Sequence, residues 1–320
     1  MDEHGHEHAP AHDGGPSAAH RHHEHAHAPT NFGVAFAVGS ALNLAFVIVE
    51  AIYGLLANSL ALLADAGHNF GDVLSLLLAW GAAYLSQRAP TRERTYGYKR
   101  TSIAASLANA IILLITVGAI TLEAVKRLVE PEAAATGTVI VVAAIGIAIN
   151  GGTALMFMAG RKGDLNVKGA FLHMVADAAT SAGVVVAAVI MWETGWLWLD
   201  PAVGLVVAAV IIIGTWSLLR DSVNLAMDAV PEGIDRDAIE AYLGALPGVT
   251  EIHDLHIWGM STTETALTVH LVRSSDTIDD ALIAEASKAL LDRFRIAHAT
   301  FQFEGGHPSF PCRLAPSHVV

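Results

Sequence analysis

Two copies of one pattern, His-x-x-x-Asp, stand inside apolar stretches of the chain: His68/Asp72 and His173/Asp177. Residues four apart share a face of a helix, so each pair projects an imidazole and a carboxylate together. Ionisable groups at membrane depth are costly and are kept mostly for function. Two such pairs on two helices can supply four ligands. Imidazole with carboxylate suits Zn²⁺, which favours tetrahedral four-coordination. Further polar residues widen the stripe: Asp65 and Asn69 beside the first pair, Thr180 and Ser181 beyond the second, and Asn43 and Glu50, seven apart, on the preceding segment. The competing reading is interhelical hydrogen-bond glue. Carboxylates held without a cation or proton cost too much for that role alone, which favours a metal site.

The other histidines are a different matter. Nine of the 17 lie in residues 1–30, in a low-complexity stretch with Ala, Pro, Gly, Glu and Asp. Such a stretch cannot bury enough apolar surface to offset its ordering entropy, so it is expected to be disordered. It contains a literal HExxH, His23 to His27. Without flanking apolar periodicity that match is a chance product of composition, not a protease motif. Two readings of the tract stay open, a metal-collecting tail and a solvated segment without effect on transport. The single cysteine, Cys312, excludes an intrachain disulfide and a Cys-based zinc motif. No role is expected for Cys312, His307 or His318.

The elements that must position these groups follow from composition. The chain is 53% hydrophobic and only 15% charged, with a mean hydropathy of +0.47, where soluble domains carry about a quarter charged residues. A net charge of -13 argues against a nucleic-acid partner. No basic region followed by a short apolar one opens the chain, so the first long apolar segment is expected to target it to the membrane. Six apolar segments, near 33–56, 60–86, 101–128, 137–160, 168–192 and 199–220, each have the ~20 residues that cross a bilayer. Arg88, Arg92, Arg94, Lys99 and Arg100 fill the second loop, and Arg161, Lys162 and Lys168 the fourth. Basic loops stay cytoplasmic, so both termini are expected there, in a multi-pass protein of a bacterial-type cell membrane. Lys126 and Arg127 depart from this rule, and snorkelling or pairing with Glu123 or Glu130 would accommodate them.

After Arg220 the composition becomes that of a small soluble domain. Helices over 235–246 and 277–295 and strands over 252–258, 265–272 and 299–303 give the order αββαβ. The expected fold class is an α-helical membrane protein with six transmembrane helices, followed by a cytoplasmic α+β domain of ferredoxin-like αββαβ type. The expected boundaries are a tail over 1–30, a membrane domain over 31–222, the C-terminal domain over 230–305 and a tail over 306–320.

The segments "LLADAGHNFGD", "RTYGYKR", "GAFLHMVADAATS", "LDPAVGL" and "VTEIHDLHIW" occur in the order and places that resemble the cation diffusion facilitator family, over roughly residues 31–305. The His-Asp/His-Asp version resembles its zinc, cadmium and cobalt efflux branch. The resemblance implies export of divalent cations in exchange for protons by a homodimer in the lipid bilayer, with His68, Asp72, His173 and Asp177 as the transport site and Zn²⁺ as substrate. Antiport fits the chemistry, because metal binding needs neutral histidine and ionised carboxylate and so competes with protons near neutral pH. The resemblance also implies a possible regulatory Zn²⁺ in the C-terminal domain, where His253, His270 and Glu304 match ligand positions and Gln302 replaces a fourth. An ordinary strand surface is the alternative there. The second loop has no histidine, and no site is expected in it. A membrane-embedded metalloenzyme would need a general base and HExxH in the spans, which they lack. A channel or metal-sensing receptor with the same ligands stays open, and proton dependence of the flux would separate it from an antiporter.

Overall fold

The computed structural model describes residues 32–158, 165–274, 280–307, 309 and 311–316. The histidine tract over 1–30, Arg161, Lys162 and His318 lie outside the described residues. Six long helices stand where the six apolar segments are expected: α1 Phe32–Leu56, α2 Leu60–Ser86, α3 Thr101–Val129, α4 Thr136–Met158, α5 Leu165–Thr194 and α6 Leu199–Ala226. By length and composition α3, α4, α5 and α6 are long and apolar enough to cross a membrane. The described apolar part of α1, Ala41–Leu56, is shorter, and α2 carries the polar stripe of Asp65, His68, Asn69 and Asp72.

The helices pack in pairs, α4 with α5 and α3 with α6, and α2 bridges α3, α1 and α6. Small side chains allow the close approach that helix packing in membranes requires. Ala61, Ala64, Ala143 and Ala208 are all buried. The turn between α1 and α2 is pinned at the end of the bundle that carries it. Asn58 takes a positive φ of 54° and donates its side-chain amide to Glu132 at 2.8 Å. Arg127 donates to the Asn58 carbonyl at 2.8 Å and pairs with Glu123 at 3.2 Å and Glu132 at 3.7 Å. Arg127 thus takes Glu123, one of the two expected acids, and adds Glu132, which the loop turns back over Asn58. Ser59 caps α2, and the Asp200 carboxylate at the start of α6 accepts from Ser59 Oγ and from the Leu60 amide at 2.6 Å.

Helix α6 runs to Ala226, six residues past the expected end at Arg220. Ser222 in that extension is buried and hydrogen-bonded to Ser106 of α3 at 2.8 Å, and Asp228, at a φ of 58°, follows its end. The C-terminal domain then follows the expected αββαβ order: α7 Arg236–Gly244, β1 Val249–Gly259, β2 Thr265–Arg273, α8 Asp280–Phe294 and β3 Ile296–Glu304. Strand β2 is central, antiparallel to β1 and parallel to β3, which the α8 crossover permits. Ile239 and Leu243 of α7, Leu267, Val269 and Leu271 of β2 and Leu290 of α8 form its core. Ion pairs of Lys99 with Glu264 and of Arg100 with Asp228 join the second loop to this domain and to the segment leading into it.

Candidate metal centre

The i, i+4 spacing places each imidazole above its own carboxylate, and the packing of α2 beside α5 brings the two pairs face to face. His173 Nε2 lies 3.3 Å from Asp72 Oδ2, and His68 Nε2 lies 3.5 Å from Asp177 Oδ1, both across the helix interface. Within the helices the distances are 3.6 Å for His173–Asp177 and 4.0 Å for His68–Asp72. Ligands at about 2.0–2.1 Å from a tetrahedral Zn²⁺ stand about 3.3–3.4 Å apart. The two cross-helix distances are close to such an edge length. His68, Asp72 and Asp177 offer ligand atoms all within 4.8 Å of one another. The two imidazoles are set edge to face with ring centroids 6.1 Å apart. Both Asp177 oxygens and Asp72 Oδ2 are buried without a hydrogen-bond donor. Buried acceptors are almost always paired, so this donor set fits a cation.

Access is one-sided. A cavity of about 460 Å³ is lined by Asp72 and His173 and, further toward Ser86, Met158 and Leu165 at the helix ends, by Ser75, Thr153, Phe157 and Ala170. On the opposite side Glu50, Asp65, Asn69 and Ser181 are each 0% exposed. Ser181 donates to Asp65 at 2.8 Å and Asn69 to Glu50 at 3.2 Å. Asn43 is buried and lines the cavity. Thr180 donates to the Ala176 carbonyl of its own helix, 3.1 Å away.

A second cluster forms in the C-terminal domain. The register pairs His253 of β1 with His270 of β2, and His270 with Gln302 of β3. Glu304, two residues further on the same face, reaches both imidazoles, at 2.9 Å from His270 and 3.4 Å from His253. A bulge in β1 with Asp254 at a φ of 52° re-aims that carboxylate. It lies 3.4 Å from His270 Nε2 and 2.8 Å from His256, which stands apart from the cluster. Neither ring nitrogen of the half-buried His253, both shielded from solvent, has a hydrogen-bond partner.

Cys312, for which no role is expected, lies at this cluster. Its Sγ lies 3.5 Å from His270 Nδ1, and His253, His270, Glu304 and Cys312 bring one ligand atom each within 4.8 Å of the others. The chain returns through Gly305-Gly306, and Gly306 takes a φ of 63°. That pair of glycines, six and seven residues before a cysteine, was the available signal. Gln302, instead of occupying a ligand place, donates to Glu304 at 3.0 Å. Burial works against charge on Glu304, but hydrogen bonds from Cys312 and Gln302 and the two imidazoles hold its carboxyl below the usual range. A backbone hydrogen bond from Leu314 favours the Cys312 thiolate, yet burial and Glu304 together push the thiol up.

With these arrangements in view, the similarities of the chain take on meaning. Residues 36–225 match the family model of the cation efflux transmembrane domain, and residues 231–305 that of the cation efflux protein cytoplasmic domain. The metal cation efflux system protein CzcD of Cupriavidus metallidurans is 36% identical over 268 residues, 83% of this chain and 85% of that protein. A cadmium, cobalt and zinc/H(+)-K(+) antiporter of Bacillus subtilis is 35% identical over 81% of this chain and 85% of its own length. The zinc transporter ZitB of Escherichia coli is 34% identical over 81% of this chain and 83% of its own length. An integral-membrane helical domain with a C-terminal αββαβ domain, two His-x-x-x-Asp pairs in contact across α2 and α5 and these similarities lead to one assignment: the chain belongs to the cation efflux, or cation diffusion facilitator, family, a family of transporters and not of enzymes.

Proposed function

We propose that the protein exports Zn²⁺ from the cytoplasm, with Cd²⁺ and Co²⁺ as alternative cargo, in exchange for protons. His68, Asp72, His173 and Asp177 form its transport site. The observation that carries this reading is the pair of cross-helix contacts, 3.3 and 3.5 Å, which close two separate motifs into one ligand set. The names of the relatives, which include zinc, cadmium, cobalt and proton antiport, support the cargo and the coupling.

The mechanism follows from ligand chemistry. Neutral imidazoles and ionised carboxylates bind the metal, and protons compete for the same atoms. The cavity lies on the side of the basic loops, the cytoplasmic side by the positive-inside rule. The cation enters there and meets Asp72 and His173. Because α2 and α5 each hold half of the ligands, sliding one helix against the other opens the site toward the opposite face. Protons taken up there release the metal. Six spans, cytoplasmic termini and a homodimer built on the C-terminal domain complete the reading.

The C-terminal cluster of His253, His270 and Glu304, joined by Cys312, is an accessory centre for the same metals and a means of sensing their cytoplasmic concentration. The carboxylate of Asp254 behind His270 is the type of outer partner that orients a metal-bound imidazole. Zn²⁺ uptake into inside-out vesicles tests the transport site. The wild type accumulates Zn²⁺ when the vesicle lumen is acidic, and Asp177→Ala does not. Normal uptake by the variant would overturn the assignment.

A further inference from the structure

One helical turn beyond the metal centre, on the side away from the cavity, four polar side chains meet. Asp65 precedes His68 by three residues and Ser181 follows Asp177 by four, so both continue the ligand-bearing faces of α2 and α5. Glu50 of α1 and Asn69 of α2 complete the group, and all four are 0% exposed. Ser181 donates to one oxygen of Asp65 and the Asn69 amide to one oxygen of Glu50. Asp65 and Asn69 are four apart on α2 and so share one face, which sets the two hydrogen-bonded pairs side by side. Three oxygens, Glu50 Oε1, Asp65 Oδ1 and Asn69 Oδ1, have no donor. Buried acceptors are seldom left so. Interhelical glue would pair acceptors with donors, whereas this cluster has a surplus of oxygen, which is what a cation needs.

We propose that Glu50, Asp65, Asn69 and Ser181 form a second cation station, occupied in transit after the ion leaves the first. This rests on the reading of His68, Asp72, His173 and Asp177 as the transport site. The second donor set contains only oxygen: two carboxylates, an amide and a hydroxyl. Imidazole suits zinc-like ions, while carboxylate and carbonyl oxygens suit harder ones. An ion stepping from the mixed site to the oxygen site meets weaker ligands for its type. The station thus gives the ion a foothold through the apolar half of the protein without trapping it. It is sealed in this conformation. A Cβ on Gly146 of α4 would meet Phe46 of α1 at 2.8 Å and Ser181 at 3.1 Å, so the layer around the station has no spare room. It opens only when α2 and α5 part on that side.

The test uses the full chain in proteoliposomes with Zn²⁺, and equilibrium Zn²⁺ binding to the same preparations. Glu50→Gln is expected to bind Zn²⁺ within ~3-fold of wild type, while maximal turnover falls by ~10-fold or more and KM stays level or drops, the signature of slowed release rather than lost binding. Glu50→Asp, which keeps the carboxylate, recovers most of the turnover. Ser181→Ala, a small change inside a helix, lowers turnover by ~2–5-fold at unchanged binding. Full turnover in Glu50→Gln overturns the station, and so does a joint loss of binding and turnover like that of Asp177→Ala. Should Glu50→Gln not fold as a monodisperse protein, wild-type turnover in Ser181→Ala overturns it instead. Normal transport by Asp177→Ala would strike the transport site itself, a separate failure.

Discussion

The membrane centre and the C-terminal centre use nearly the same side chains and are held in opposite ways. Each has two imidazoles and at least one carboxylate. In the membrane domain the four groups come from two helices whose mutual packing is slight compared with the α4–α5 and α3–α6 pairings. In the C-terminal domain the three candidate ligands on strands sit on adjacent strands of one hydrogen-bonded sheet, over a shared core. A site split between two movable helices can be opened by moving one of them. A site laid across one sheet keeps its shape whatever the helices do. The first arrangement suits a cargo that must leave. The second suits an ion that stays and reports its own concentration, with the Lys99–Glu264 and Arg100–Asp228 pairs as the physical link between domains.

This contrast can be broken by experiment. The largest effect is expected for the membrane centre. His173→Ala should lower Zn²⁺ transport by roughly 100-fold or more, since loss even of an outer partner costs 10–100-fold. Metal binding at the C-terminal centre should be unchanged, and a loss there too would mean that the two centres are not separable. Cys312→Ser comes next. It should weaken Zn²⁺ or Cd²⁺ at the C-terminal centre by roughly 10-fold, with a greater loss for the softer Cd²⁺. Maximal transport at saturating metal should persist. Titration of the thiolate–Cd²⁺ absorption band in the ultraviolet measures the loss, and equal affinities in both proteins would remove Cys312 from the ligand set.

Asp254→Asn should weaken the same centre through His270 by about 10-fold, as for other carboxylate partners of metal-bound histidine. Isothermal titration with Zn²⁺ reads this, and an unchanged constant would make the Asp254–His270 contact incidental. The smallest effect is a pH dependence. The folded state holds Glu304 below its ordinary value of 4.5. The folded protein therefore binds fewer protons there than the unfolded chain. Its contribution to stability is present above pH 4.5 and is lost as pH falls through that value toward the lower folded one. Thermal unfolding of metal-free protein should show a shallower acid loss in Glu304→Gln than in the wild type. Identical acid profiles would show that the carboxylate is not stabilised by its neighbours.

The membrane centre was legible in the sequence because helical geometry converts spacing into proximity. His68 with Asp72 and His173 with Asp177 needed only the 3.6-residue turn and an apolar setting. The six long helices and the αββαβ order were legible for the same reason, as hydropathy and periodicity are local properties. What the sequence could not decide was every relation between distant segments. Whether α2 and α5 face each other, at 3.3 and 3.5 Å between imidazole and carboxylate, depends on the packing of the whole bundle. That Asp65 meets Ser181 and Glu50 meets Asn69 depends on the same packing. In the C-terminal domain the register carries His253 and His270 to opposite positions, and a return turn at Gly306 brings Cys312 to them. A strand face can be read from alternation, but the approach of a tail 42 residues away cannot. Local patterns therefore determined which groups have the chemistry to bind a metal, and tertiary structure decided which of them come together, because ligand sets close through space and not along the chain.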